Sequence, residues 1–187
     1  MRLRKTKGKK WLSAKTALGF TIIEMLVTMS VLTVLVGILI LYSRAGESTT
    51  VLLRELAKIS SDINRAKNLA LTTTTFVDQE GNKINPCGYG VYFDLLQNQY
   101  TIFADLASDC ATSSHLRDPE GNADVETISL SKPLELKSTE PDQVFFLAPD
   151  PTVIFPDAAT EMEIRLGPAN GAIMSVKVTK TGQVSTY

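Results

Sequence analysis

Few residues in this 187-residue sequence have the type and spacing that chemistry needs. The only histidine, His115, lies in CATSSHLRDPEGNAD. With no second histidine and no G-x-S-x-G elbow, Ser113 and Ser114 gain no nucleophilic relay, and His115 reads as a solvated loop residue. Asp118, Glu120, Asn122 and Asp124 alternate as oxygen donors, the pattern of a partial calcium loop. The glycine and the distal glutamate of an EF-hand are missing, and Pro119 and Gly121 fit an ordinary solvated turn. Asp78, Glu80 and Asn82 around Gly81 pose the same choice on a smaller scale. Cys87 and Cys110 lie 23 positions apart. They form either a bridge, worth about 3 kcal/mol for a loop of that size, or a pair of buried thiols. If bridged, they leave too few ligands for zinc. Gly88-Tyr89-Gly90 lacks the spacing of a phosphate loop and instead lets the chain enter a strand close to Cys87. Tyr89, Tyr92, Phe93, Tyr100 and Phe103 interleave with few cations, so they read as core and sheet-face packing rather than a stacking platform for single strands. Neither an enzyme nor a cofactor is expected.

The remaining chemical oddity is Glu24. From Phe20 to Tyr42 there are 23 residues, and Glu24 is the one charged side chain among them. At about 1.5 Å per residue such a run, if helical, crosses a hydrocarbon core of about 30 Å. Arg2, Arg4, Lys5, Lys7, Lys9, Lys10 and Lys15 precede it with no acid, whereas one cation, Arg44, follows closely. That asymmetry places the amino end in the cytoplasm and residues 43 to 187 outside, in a single pass. Of 19 Lys and Arg in the chain, 12 remain after Gly19 against 20 Asp and Glu, a balance of -8. An acidic body repels phosphate backbones, so no nucleic-acid partner is expected.

A secretory signal would have a shorter apolar core with small residues after it. Here YSRAGESTT follows the run, and the small residue that stands out, Gly19, precedes it. A cut between Gly19 and Phe20 would remove the basic leader and keep the span. This arrangement, a cationic leader followed by Gly19-Phe20-Thr21-Ile22-Ile23-Glu24-Met25-Leu26-Val27, resembles the type IV prepilin family, including the pseudopilins of type II secretion and competence systems. The resemblance covers about 25 residues. It implies cleavage after Gly19 by a membrane prepilin peptidase, methylation of the new amino group on Phe20, and use of Glu24 in assembly. The implied partners are other pilin-like subunits, membrane lipid before assembly, and an assembly platform.

Three accounts of Glu24 stand open. An ionised group deep in lipid costs on the order of 3 kcal/mol on insertion scales and needs a partner. The ammonium freed at Phe20 could supply one to a neighbouring subunit's Glu24, or to Glu24 of the same chain four residues on. Otherwise Glu24 snorkels to the cytoplasmic interface of a plain anchor.

The elements that must position these groups follow from periodicity. Apolar residues at 52, 56, 59, 63, 66 and 70 make one helical stripe. The expected helix therefore runs from about Phe20 to Leu71, weakened around Gly46 and Ser48-Thr49-Thr50 and ending at Thr72 to Thr75. Beyond it the period shifts towards 2. Residues 90 to 93 and 99 to 103 form an expected hairpin across Leu95 to Asn98. Further strands are expected at 125 to 130, 133 to 138, 143 to 147, 152 to 155, 161 to 166, 172 to 179 and 183 to 187, the last two turning at Lys180-Thr181-Gly182. The expected class is α+β: a long amino-terminal helix packed on an antiparallel sheet or sandwich. The divisions are a leader over 1 to 19, a membrane and assembly helix over 20 to 42, an amphipathic outer half over 43 to 75, and an exported head over 76 to 187. This order of elements, with FFLAPDPTVIF through VKVTKTGQV, is similar to the H-type minor pseudopilins. The rival expectation is a single-pass anchor whose β domain binds a ligand or wall polymer without polymerising.

Overall fold

The apolar stripe of the second helical half is the spine of the head. Leu52, Leu56, Ile59, Ile63, Ala66 and Ala70 are all buried, as a three-and-four spacing requires of a helix with one face on a core. The computed structural model describes residues 21 to 78, 80 to 117, 121 to 150 and 152 to 187, and for 41 to 48 the main chain alone. Helix α1 spans Ile22–Leu71. The main chain of residues 43 to 50 is helical through the expected weak point at Gly46; one glycine costs only about 1 kcal/mol in a helix interior. Thr72 and Thr73 turn the chain out of α1, Thr73 at a φ of 46°.

The chain divides into two units, residues 1 to 44 and 45 to 187. The second is α+β and entirely antiparallel in its strands. A short ribbon pairs β1 (Phe76–Val77) with β2 (Lys83–Ile84). Five strands then form one sheet: β3 (Gly88–Asp94), β4 (Gln99–Asp105), β5 (Asn122–Ser129), β7 (Gln143–Leu147) and β8 (Val153–Ile154), ordered β5-β4-β3-β7-β8. Four more form a second: β6 (Leu134–Glu140), β9 (Glu161–Pro168), β10 (Met174–Thr179) and β11 (Val184–Thr186), ordered β11-β10-β9-β6. A 3-10 turn, Pro156–Ala158, precedes β9. One hydrophobic cluster joins the helical stripe to both sheets, drawing Tyr89, Val91, Phe93, Tyr100 and Ile102 from the first and Met162, Ile164, Leu166, Val176 and Val178 from the second.

The expected hairpin across Leu95 to Asn98 forms with Phe93 opposite Tyr100. Alternation alone does not describe the first sheet, however. Strand β4 is buried from Tyr100 through Asp105 on both faces, and β3 from Gly88 through Val91. The sheet has a second covered face, opposite the helix, and the cover is the loop that follows β4.

Polar contacts tie α1 to the strands and their turns, among them the ion pair of Arg65 with Glu126 on β5 (2.6 Å). Tyr100 donates its hydroxyl to Asp62 (2.5 Å), Ser131 donates to Glu55 (2.6 Å), and Lys67 donates to the carbonyl of Gly182 (3.0 Å). Burial, with the Asp62 carboxylate alongside, pushes the Tyr100 hydroxyl well above its ordinary range, so it stays a proton donor. Gly182 has a φ of 72°, and a Cβ there would lie 3.0 Å from Lys67 Nζ and 3.3 Å from Val153. Gly182→Ala therefore combines left-handed strain with a crowded hydrogen bond, and a loss of about 1–2 kcal/mol is expected in denaturant unfolding. An unchanged midpoint would show that the β10–β11 turn relaxes freely.

Candidate assembly helix and stapled head

The amino-terminal half of α1 is capped by its own sequence. The Glu24 amide meets the Thr21 hydroxyl at 3.3 Å and the Thr21 carbonyl at 3.1 Å, so Thr21 occupies the cap and Glu24 the third helical position. This is the spacing at which an acid also favours the positive end of a helix. Gly19 and Phe20, where the sequence places the cut and the methyl group, lie outside the described residues.

Other polar side chains along this half are satisfied locally. Thr28 donates to the Met25 carbonyl (3.0 Å), Ser30 to Val27 (2.8 Å) and Thr33 to Met29 (2.5 Å). Hydroxyls that back-bond in this way can enter lipid without an external partner. The 19 residues Ile22–Ile40 are long and apolar enough to cross a membrane, and none is buried by the rest of the chain. Ile22 is 83% exposed and Leu39 66%. Among the described residues no side chain pairs with the Glu24 carboxylate, and no other charge lies between Ile22 and Ile40. This face thus calls for an apolar environment and carries one charge, Glu24.

In the head, Cys87 and Cys110 are joined by a disulfide, their Cα atoms 5.2 Å apart. The bridge pins the loop after β4 across the outer face of the first sheet. Beneath it, Gly90 pairs with Phe103 on β4 and with Phe145 on β7. The two phenyl rings meet over this glycine with centroids 6.1 Å apart. A Cβ on Gly90 would come within 2.4 Å of the Phe103 ring, and one on Gly88 within 2.1 Å of the Phe146 carbonyl. The glycines of Gly88-Tyr89-Gly90 thus leave room for two aromatic rings, a role beyond strand entry beside Cys87.

His115 is not the solvated residue its loop implies. Its ring stacks on Phe145 at 4.8 Å, and its Nδ1 lies 2.9 Å from Asp105 Oδ2. The side chains of His115 and Asp105 are only 12% and 2% exposed. The buried Asp105 carboxylate also accepts from Ser113 (2.6 Å) and from the Ala107 amide (3.0 Å), which offsets the cost of burying it. The polarity of CATSSHLRDPEGNAD hid this because a disulfide and buried polar contacts, rather than apolar content, attach the loop to the sheet. The cross-strand row of glycine between phenylalanines was the signal available.

Of the calcium candidates, Asp118 and Glu120 lie outside the described residues. Asp124 takes a two-pronged contact from Arg117 (2.8 and 3.0 Å), and Asn122 donates to the Leu116 carbonyl (2.7 Å). Both described members are therefore committed within the loop, and the described residues contain no cluster of three or more His, Cys, Asp or Glu able to hold a metal. Around Gly81, the Asp78 carboxylate accepts from the Asn82 amide and side chain, which lowers its pKa and closes a plain turn. Tyr89, Phe93, Tyr100 and Phe103 are buried in the head, and Tyr92 lies under the Arg117 guanidinium at 5.0 Å. No stacking platform faces solvent among these five.

Together these features define an α+β protein with one exposed apolar helix of membrane length and a disulfide-stapled antiparallel head. No protein-family model and no curated protein sequence matches the chain. Among solved structures, the minor pseudopilin EpsH from the type 2 secretion system of Vibrio cholerae is similar, with a TM-score of 0.44 and 14% identity over 71% of this chain and 93% of that one.

Proposed function

We propose that the chain is a pilin-like structural subunit of a secretion pseudopilus or type IV pilus, of the minor class and nearest in plan to the H-type. It enters the membrane once, with residues 1 to 19 inside as a leader, residues 20 to 42 as the span and assembly helix, and residues 43 to 187 outside. A prepilin peptidase cuts between Gly19 and Phe20, the Phe20 amine is methylated, and subunits leave the lipid for a fibre on an assembly platform. The helix exchanges lipid contact for contact with neighbouring helices, so its apolar face serves in both places. Its work is mechanical.

One observation carries this reading: a leader with seven cations and no acid, the Gly19-Phe20 junction, Glu24 and an uninterrupted apolar run coincide in one short stretch. A plain anchor needs the apolar run alone. Intact-mass measurement of the chain from its native membrane tests it. The expected species begins at a methylated Phe20, and Gly19→Leu is expected to keep the leader. A wild-type chain beginning at Met1 would leave the anchored, non-polymerising β domain as the better account.

A further inference from the structure

We propose that the Leu95-Leu96 turn is a lipid-contacting tip through which the head rests on the bilayer surface. The turn is rigid. Asp94 accepts from the amides of Leu96 (2.9 Å) and Gln97 (3.0 Å). Asn98, at a φ of 53°, holds the other side. Its side chain donates to the Leu134 carbonyl and accepts from the Leu136 amide, both at 2.8 Å, while its own carbonyl accepts from Leu130. A turn fixed this firmly nevertheless displays Leu96 at 99% exposure and Leu95 at 40%.

Hydrogen bonds show which end of the head carries it. Tyr89, near the start of β3, donates to the Thr74 carbonyl just past the end of α1. Tyr100, opposite the end of β3, donates to Asp62, and Ser131, beside the Asn98 contact at Leu130, donates to Glu55. Strand β3 therefore runs back along α1, and its turn lies at the end where the chain joins the head. Leu53, Arg54 and Lys132 are exposed at that end. Two acids share that end, Asp94 in the turn itself and the buried Glu55 under Ser131, while Glu135 is paired with Lys137, so the exposed leucines rather than net charge favour the bilayer.

The occupant follows from tether and shape. Residues 41 to 50 are all that separate Ile40 from Val51, at most about 40 Å even if the segment were fully extended, so a bilayer crossed by Ile22–Ile40 is offered to this end at high effective concentration. Two leucines on a projecting turn suit a fluid apolar phase, which needs no matching groove. The inference rests on the membrane reading above.

The test uses the full chain reconstituted in vesicles of mixed phosphatidylcholine and phosphatidylglycerol. Because Cys87 and Cys110 are bonded, Leu96→Cys presents one free thiol for an environment-sensitive dye. Thr181→Cys, in the β10–β11 turn beside Lys67, is the control. The dye at 96 is expected to be about fivefold less accessible to aqueous iodide than the dye at 181, and to be quenched by a headgroup-level nitroxide lipid. This should hold down to less than one chain per vesicle. Equal iodide access at the two positions overturns the proposal, and protection only at high protein density assigns the tip to a second copy instead. Alkaline carbonate separates the levels of argument: a chain it releases was never inserted, which removes both readings, whereas an inserted chain with a wet residue 96 removes the tip alone.

Discussion

Glu24→Ala is expected to insert in the membrane and lose its leader at wild-type rates, yet to enter fibres at a few per cent of the wild-type level. Alanine removes the one charge between Ile22 and Ile40, so insertion becomes easier. What it deletes is a carboxylate that has no partner among the described residues. If assembly matches that carboxylate to the amine of a neighbour's Phe20, a worth of about 3 kcal/mol corresponds to roughly a hundredfold in the partition between membrane and fibre. The ratio of subunit in sheared fibres to subunit in membranes, at equal expression, reads this directly. A competing role follows from position, since Glu24 stands at the third position of a helix capped by Thr21, where a glutamate side chain reaches back towards the cap amide. Glu24→Gln separates the two. Glutamine serves a capping box as glutamate does but carries no charge. Failure of both variants assigns Glu24 to charge pairing, and rescue by glutamine assigns it to the cap. Wild-type incorporation of both variants would remove Glu24 from assembly.

How much of this could be read in the sequence depended on whether a residue's surroundings were set locally. The buried stripe of α1 was legible to the residue, because a helix repeats its core face every three or four positions regardless of what it packs on. The strands were legible to within a few residues, since Pro, Gly, Asn and Asp mark their ends; β5 begins at Asn122 rather than 125, and β10 at Met174 rather than 172. The ribbon of β1 and β2 was not, having two residues in each strand and no alternation to detect. Nor was the second covered face of the first sheet, where Phe103 and Phe145 look like ordinary outward positions until the polar loop after β4 is laid over them. Glu55 shows the same limit. It is a charged residue on a helix, yet it is only 6% exposed, and the Ser131 hydroxyl that donates to it inside the head comes from 76 positions away. For the apolar span the sequence carried nearly all that is known of its candidate site, since Gly19 and Phe20 lie outside the described residues.

The stapled loop gives the other large expected effect. Replacing Cys87 and Cys110 together by alanine should lower the stability of the head by about 3 kcal/mol, the chain-entropy value for a loop of this length. For a unit of this size that is a fall of roughly 10 °C in Tm. The change should also be local in a way that a general loss of stability is not. The loop's remaining attachments are the His115 and Ser113 contacts to Asp105, the stacking of His115 on Phe145, and the bond from the Arg117 amide to Gln143. Each is worth about 1 kcal/mol against the entropy of holding more than ten residues in place. The loop should therefore open well before the core does, and proteolysis should cut first between 106 and 117, leaving β3, β4 and β7 intact. The helical face of the same sheet holds its own cluster of Tyr89, Val91, Phe93 and Ile102, which does not depend on the bridge. Reducing agent on the wild-type chain should reproduce both the early cut and the lower Tm. A reduced chain that melts at the wild-type temperature and resists cutting in the loop would show that Asp105 and Phe145 hold the cover alone, and that the disulfide adds nothing to the head once it has folded.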